Sequence, residues 1–494
     1  MNRKQVVALL VAVSLYATAG RVSAADQWIE IKSPHFTVVT NNGERSARNV
    51  AWQFEQVRAA MQQAWPWSRV DLDRPFLVIG VKDENTMKLF APKYWEAGNA
   101  AHPSSVSASG GSAHYVTMRA DLTTDGPEGV NPYSDSYWAY ANLTLTSSYR
   151  NQLPVWFTRG LSSVLSNTNV TDKEVQFGRA LRSYIQEFSG GRYGLPELLA
   201  VERSSPIFQR EVEWQRFDAQ AWGLLHYMLF ASPDAQERDA KINTLARALL
   251  SGTSSAEAVQ QVYGPLPALD LAYRQYVTRG MFRYVQMKAD LKVVAKDFAL
   301  KPIAPADVLA IRAGYHVATN RPVEARQAIA DARKLMPQLA ATYDAEGLLA
   351  DRESKPEEAR AAYAKAVEFG STDFHSYVRL VNLTQRGGAT PESLANMRTW
   401  LTKAIELNPT NAVGYQSLST VLLQMNLPAD ALAPARKAVE LDAQDFNTHL
   451  TLANVLQRSG QKDEALKEAR AALALAVTDT ERRYAQSVID AIQR

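Results

Sequence analysis

From about residue 303 to its end the chain repeats itself at intervals close to 34 residues, and no other property of the sequence restricts its fold as tightly. Glu-Ala or Asp-Ala pairs place a small residue at Ala325, Ala359, Ala431 and Ala465. Seven positions later a second alanine follows, at Ala332, Ala366, Ala438 and Ala472, with Ala404 at the matching place in the third unit. Two helices that cross closely need small side chains at the crossing. A fixed period of this length is what stacked helical hairpins produce, since each hairpin buries its apolar face only against its neighbours. In the clearest unit Tyr415, Leu418 and Leu422 take the large positions and Ala431 and Ala438 the small ones, and Ala465 and Ala472 repeat the small pair one unit on. Between the second and third units the spacing stretches from 34 to 38, which puts a four-residue insertion near 386–390. The pattern predicts five units, the first weak, and a capping helix over 478–494.

Pro337 and Pro409 close two of the units, and the run Glu406-Leu-Asn-Pro409 is the familiar ending of a tetratricopeptide unit. The region resembles tetratricopeptide (TPR) repeats. The resemblance implies an all-α solenoid over 303–494 whose concave face holds a protein or peptide partner. The repeat pattern encodes no ligand and names no groove residue.

The first half carries a second signal, in the segment from Tyr137 to Gly160. Tyr140, Leu143, Leu153, Pro154, Trp156 and Gly160 match the scaffold positions of peptidase MA-like, gluzincin-type metallopeptidases, whose pattern runs His-Glu-Tyr-x-His-Leu and then Leu-Pro-x-Trp-Leu-x-Glu-Gly. The segment resembles that family with its chemistry removed. The resemblance puts Trp138 at the first zinc histidine, Ala139 at the general-base glutamate, Asn142 at the second histidine and Arg159 at the glutamate ligand. Catalytic zinc needs about three protein ligands and a nearby carboxylate to take a proton from bound water. An indole, a methyl group and a carboxamide supply none of these, and a permanent guanidinium repels a dication. The expectation is a vestigial site with no catalytic residue, no metal ligand and no cofactor. Burying an indole in place of a hydrated ion would stabilise the helix by about 2 to 3 kcal/mol.

The competing reading is a hydrolase that uses relocated ligands or a non-zinc mechanism in the same cleft. Of the seven histidines, His102 and His114 flank a Gly/Ser-rich loop beside that cleft, and no two of the seven lie within five residues of each other. His226 falls in a largely apolar helical run and reads as a core histidine with one satisfied ring nitrogen.

Around this segment the pattern predicts an α+β domain over 25–290. Trp28–Lys32 and Phe36–Thr40 alternate as short strands. Val50, Phe54, Val57 and Met61 recur at helical spacing within a helix from 44 to 64. The run 76–81 reads as an interior strand, 97–111 as a loop, and 114–119 as an edge strand beside the cleft. Residues 291–302 read as a linker to the repeats.

At the amino terminus Arg3 and Lys4 precede an apolar run from Val6 to about Ala19 and the small-residue exit Val22-Ser23-Ala24. This is the pattern of a secretory signal peptide cut after Ala24, so the expected location is periplasmic or secreted. The run is shorter than the roughly 20 residues a spanning helix requires, so no stable membrane insertion is expected after cleavage. The absence of cysteine excludes disulfides and thiolate metal sites. A net charge of +3 over 494 residues, with no clustered basic run, gives no footprint for nucleic acid. Together these features predict an exported, non-catalytic binding or scaffold protein.

Overall fold

The computed structural model describes residues 27–72, 74–96, 102–122, 129–147, 149, 152–188, 193–288 and 294–494. The expected signal peptide, 1–24, lies outside them. The chain forms two compact units: the described residues up to Val70, Leu77–Val106 and Val116–Ala304 make the first, and Asp71–Phe76, Ser107–Tyr115 and Pro305–Arg494 the second.

In the first unit, β1 (Ile29–Lys32) and β2 (Thr37–Thr40) pair antiparallel, with Ile29 opposite Thr40. Alternation sends Ile29 and Ile31 inward and leaves Lys32 exposed. Helix α1 (Gly43–Ala64) follows and buries Val50, Phe54, Val57 and Met61. Its Arg48 donates to Glu44 at 2.7 Å and reaches the Phe298 carbonyl at 2.9 Å. Next come β3 (Phe76–Val81), α2 (Glu84–Phe90), β4 (Ser105–Ser109) and β5 (His114–Arg119), of which Phe76, Ser107–Ser109 and His114–Tyr115 group with the second unit. β3 runs parallel to β2, with Val38 opposite Val78.

Helices α3 (Ser134–Ser147) and α4 (Val155–Ser166) then lead to β6 (Asn169–Val170), β7 (Val175–Phe177), α5 (Arg182–Glu187), α6 (Leu195–Leu199) and the long α7 (Glu211–Phe230). The unit ends with α8 (Ala235–Leu250), α9 (Ser255–Tyr263), α10 (Leu266–Thr278), β8 (Val285–Met287) and β9 (Ala299–Pro302). A six-stranded mixed sheet has the order β4-β5-β3-β2-β1-β9, and a three-stranded one the order β6-β7-β8.

Three local expectations are corrected. Residues 105–109, read within a loop, form β4, because a ladder to a neighbouring strand outweighs the weak strand preference of Ser and Ala. For the same reason β5 is not an edge strand: β4 covers it. Residues 299–302, read as linker, are β9, antiparallel to β1 with Ile29 opposite Pro302, which satisfies backbone groups that an open β1 would leave unpaired.

Among the described residues the second unit contains five helical hairpins: α11 (Pro305–Ala318) with α12 (Pro322–Leu335), α13 (Ala340–Arg352) with α14 (Pro356–Glu368), α15 (Phe374–Arg386) with α16 (Pro391–Leu407), α17 (Ala412–Gln424) with α18 (Pro428–Leu441), and α19 (Phe446–Arg458) with α20 (Lys462–Leu475). A terminal helix, α21 (Asp479–Gln493), starts at a capping box in which Thr478 accepts from the Glu481 amide. The repeat is visible in the backbone itself. Asn320, Ser354, Gly388, Asn426 and Gly460 all adopt positive φ, between 59° and 93°, at the turn inside each hairpin. Successive spacings are 34, 34, 38 and 34 residues, and the extra residues follow Gly388, partly in the turn and mostly in α16, which runs to 17 residues, rather than sitting within 386–390 as expected.

First helices touch across hairpins, α11 with α13, α15 with α17 and α17 with α19. With α15 tied to α13 through Arg379 and Asp351, they form one continuous face of the array. Ala325, Ala359, Ala431 and Ala465 are all fully buried at the crossings. The core between the last hairpins is built from Leu422, Ala435, Phe446, Leu450, Leu456 and Ile489.

Candidate functional site

The vestigial positions gather where α3, α4 and α7 pack. α4 approaches α7 so closely at Gly160 that a Cβ there would lie 2.7 Å from the Ala221 carbonyl oxygen. That contact brings Arg159, the neighbour of Gly160 on α4, beside Asp218 on α7. Arg159 donates from Nε and Nη2 to the two carboxylate oxygens of Asp218, both at 2.5 Å. The Asp218 side chain is 3% exposed and that of Arg159 21%. The guanidinium carbon lies 4.9 Å from the Trp138 ring centre, 5.4 Å from Phe208 and 5.9 Å from Trp214. A carboxylate and three aromatic faces thus hold one cation.

Trp138 is half-buried, which corrects the expectation of an indole packed into the core. The reason is its partner: a cation stacked on its ring needs solvent nearby, and its Nε1 donates to Ser163 Oγ at 3.0 Å. Ser163 Oγ in turn meets the Tyr184 hydroxyl at 3.2 Å. Ala139 is buried and Asn142 half-buried on the same helix. Burial pushes the Asp218 carboxyl above its ordinary value against the opposing pull of Arg159, and burial also raises the Tyr184 phenol. The Asp218 carboxylate is engaged by Arg159, and the Tyr184 hydroxyl meets Ser163. Asp218, Ser163, Phe208 and Trp214 were not identified from the sequence. The only available signal was the unusual cation at position 159, which demands a carboxylate somewhere.

The histidines are committed elsewhere. His226 is buried, and its Nε2 sits 2.9 Å from the Gly178 carbonyl, which can only accept. Nδ1 must then accept from the Tyr276 hydroxyl at 2.8 Å, so both ring nitrogens are satisfied rather than the single one expected. Burial lowers its pKa to about 4. His102 stacks on Trp95 with ring centres 4.9 Å apart and faces Glu84 at 3.3 Å. His114 is fully buried, with Nδ1 3.0 Å from Ser109 Oγ. Among the described residues no three His, Cys, Asp or Glu side chains are grouped to hold a metal ion.

A cleft of about 530 Å³ lies elsewhere in the first unit, among Leu153, Pro154, Pro196, Leu199, Arg203 and Ser254. Arg203 spends one donor on the Leu153 carbonyl at 3.1 Å.

In the repeat array Leu422, Ala431, Ala438, Ala465 and Ala472 are buried, whereas Tyr415 and Leu418 are half-buried. On the first helices Gln416 of α17 reaches Thr451 of α19 at 3.4 Å, and Arg379 of α15 clamps Asp351 of α13 at 2.8 and 2.6 Å. Beneath them lies a pair of carboxylates. Asp344 accepts from Ser371 at 2.8 Å and from Ser376 at 2.6 Å, and Asp373 caps α15 by accepting from the His375 amide at 3.0 Å. Burial pushes the Asp344 carboxyl up to about 6, and burial together with repulsion from Asp344 pushes that of Asp373 up to about 7. The pair is not legible in the sequence, where each residue alone reads as an ordinary helix cap or surface acid.

No protein-family model matches the chain. One curated relative, Protein STIP1 homolog from Dictyostelium discoideum, is 38% identical over 77 residues, which is 16% of this chain and 14% of that protein's length. Among solved structures the chain is similar to YrrB, described as a TPR protein with an unusual peptide-binding site, at 16% identity and a TM-score of 0.32, covering 37% of this chain and 92% of that one. It is similar to TTC0263, a thermophilic TPR protein from Thermus thermophilus, at 19% identity and a TM-score of 0.28, covering 37% and 98%. A third is MamA, at 19% identity and a TM-score of 0.29, covering 34% and 91%. By the order of its own elements the chain is an α+β unit with a small mixed sheet, joined to an all-α array of helical hairpins.

Proposed function

We propose that this chain is an exported, non-catalytic scaffold in which a degenerate peptidase MA-like, zincin-like domain is joined to a TPR-like array that docks a protein or peptide. The observation that carries the reading is the run of first helices that adjoin one another from α11 to α19, since such a face is the part of a repeat stack that the neighbouring hairpins do not cover. The non-catalytic half of the proposal is supported by Arg159, whose guanidinium occupies the position where the resemblance calls for a zinc ligand and is neutralised by Asp218. Export rests on the leader pattern ending at Ala24, and this reading includes no nucleic-acid partner and no stable membrane insertion after cleavage.

A photo-reactive amino acid at position 415, on α17, tests the docking claim in the full-length protein. A defined polypeptide cross-linked through that position supports it, and recovery of uncross-linked chain alone from the exported fraction of the native source counts against it. Calorimetric titration with zinc tests the other half: stoichiometric uptake abolished by changing His102 or His114 would establish the hydrolase instead. Amino-terminal sequencing of the exported protein should begin at Ala25.

A further inference from the structure

Ser107–Tyr115 belongs to the same compact unit as the helical hairpins. The segment, Ser-Ala-Ser-Gly-Gly-Ser-Ala-His-Tyr, is closed as a tight turn by the Gly110 amide donating to the Ala113 carbonyl at 2.8 Å. Arg74 donates to the Gly110 carbonyl, and the His114 amide donates to the Pro75 carbonyl at 2.9 Å.

Its far side is seated against first helices of the array. A Cβ on Gly110 would stand 3.2 Å from Ala318 of α11, and one on Gly111 would stand 2.9 Å from Leu348 of α13 and 3.5 Å from the His375 ring of α15. Small residues face the turn in return, since a Cβ on Gly314 would meet the Tyr115 hydroxyl at 2.8 Å. The Tyr115 and Tyr315 rings meet edge to face, 5.9 Å between centres. Ser112 hydrogen-bonds to the carboxyl of Asp373, and Ser112, His114 and Tyr115 are all buried.

Three features make this more than loop packing. Glycine stands on both sides of the contact, where an added Cβ would come within 3 Å of Leu348 or of the Tyr115 hydroxyl and require a local shift. The carboxyl that the turn engages through Ser112 belongs to the cap of α15. And the surface covered is the first-helix face of hairpins one to three, the face assigned above to partner docking.

We propose that Ser107–Tyr115 is an internal ligand of the array, holding the first three hairpins closed to partners until it leaves. The proposal rests on the docking role given above. The ligand class is defined by what the seat accepts: a tight turn of glycine and serine, with a hydroxyl for Asp373 and an aromatic side chain for the space over Gly314.

The test uses the full-length chain and a fluorescent synthetic peptide with the sequence of residues 107–115. Self-occupancy lowers apparent affinity by the fraction of open molecules, so releasing the turn raises it. Gly111→Leu, which collides with Leu348, and Ser112→Asp, which sets a second negative charge against Asp373, are each expected to tighten peptide binding by roughly tenfold or more. Hydrogen exchange at the Gly110 amide should rise in both variants. Ser112→Ala removes only the hydrogen bond and should give a smaller gain in the same direction, which keeps the test decisive if Gly111→Leu folds poorly. Faster exchange at Gly110 without tighter peptide binding overturns the proposal, and so does unchanged exchange in both serine variants. A partner that cross-links through position 415 in wild type while all variants bind peptide no better would leave the scaffold reading standing and remove this one alone.

Discussion

Arg159 and Asp218 complete each other: two parallel hydrogen bonds of 2.5 Å join a guanidinium on α4 to a carboxylate on α7 that is 3% exposed. Removing one partner strands the other's charge. Asp218→Ala is expected to destabilise the first unit by about 3 to 5 kcal/mol, whereas the double change Arg159→Met with Asp218→Leu should cost clearly less. Denaturant unfolding followed by tryptophan fluorescence checks this, because Trp138 and Trp214 flank the pair. Equal losses in the single and double variants would show that the pair is not coupled.

Close backbone approach makes a second expectation. A Cβ on Gly160 would lie 2.7 Å from the Ala221 carbonyl oxygen, and one on Gly347 would lie 2.5 Å from the Tyr363 ring. Neither neighbour is a flexible chain end. Gly160→Ala and Gly347→Ala should each cost about 1 to 3 kcal/mol by overpacking, measured as a lowered denaturation midpoint. Gly252 has positive φ, and a methyl added there would meet no described atom within 4 Å, so Gly252→Ala should cost only the backbone strain of about 1 kcal/mol.

In the array, pH acts through Asp344 and Asp373. Their carboxyls, ordinarily near 3.8, are raised to about 6 and about 7, so the folded state binds more protons than the unfolded chain in between. The stability they contribute is complete below pH 3.8 and is lost as pH rises toward 7. Asp373→Asn keeps the helix cap and removes the titration. It should raise the melting temperature at pH 8 by roughly 2 °C or more and change it little at pH 5. A variant whose gain is the same at both pH values would refute the assignment.

His226 works in the opposite direction. Its folded pKa of about 4 is below the ordinary 6.5, so its contribution is present above pH 6.5 and is lost as pH falls toward 4. In nitrogen-resolved NMR the ring should remain neutral, with the proton on Nε2, down to pH 5. His226→Ala would orphan the Gly178 carbonyl and the Tyr276 hydroxyl and is expected to cost about 2 to 5 kcal/mol. A ring that titrates near its ordinary value would contradict the buried geometry.

The helical hairpins were legible because their signal is periodic and local. The alanine spacing reports helix crossings within each unit, and the same 34-residue interval, with its four-residue stretch after Gly388, returns in the positive-φ turns. Strands β4 and β9 were illegible for the complementary reason. Ser105–Ser109 and Ala299–Pro302 have no intrinsic preference strong enough to announce a strand, and they become strands only by pairing with backbone far away in sequence.

The candidate site divides along the same line. Residue identity alone set the expectation that Trp138, Ala139, Asn142 and Arg159 supply no zinc ligand set, because ligand chemistry belongs to the side chain wherever it is placed. Only the fold could supply Asp218 as the counter-charge of Arg159, 59 positions away, pair Asp344 with Asp373, and seat Gly111 against Leu348. Those relationships depend on distances between segments remote in the chain, and a sequence fixes such distances only through the packing of the whole.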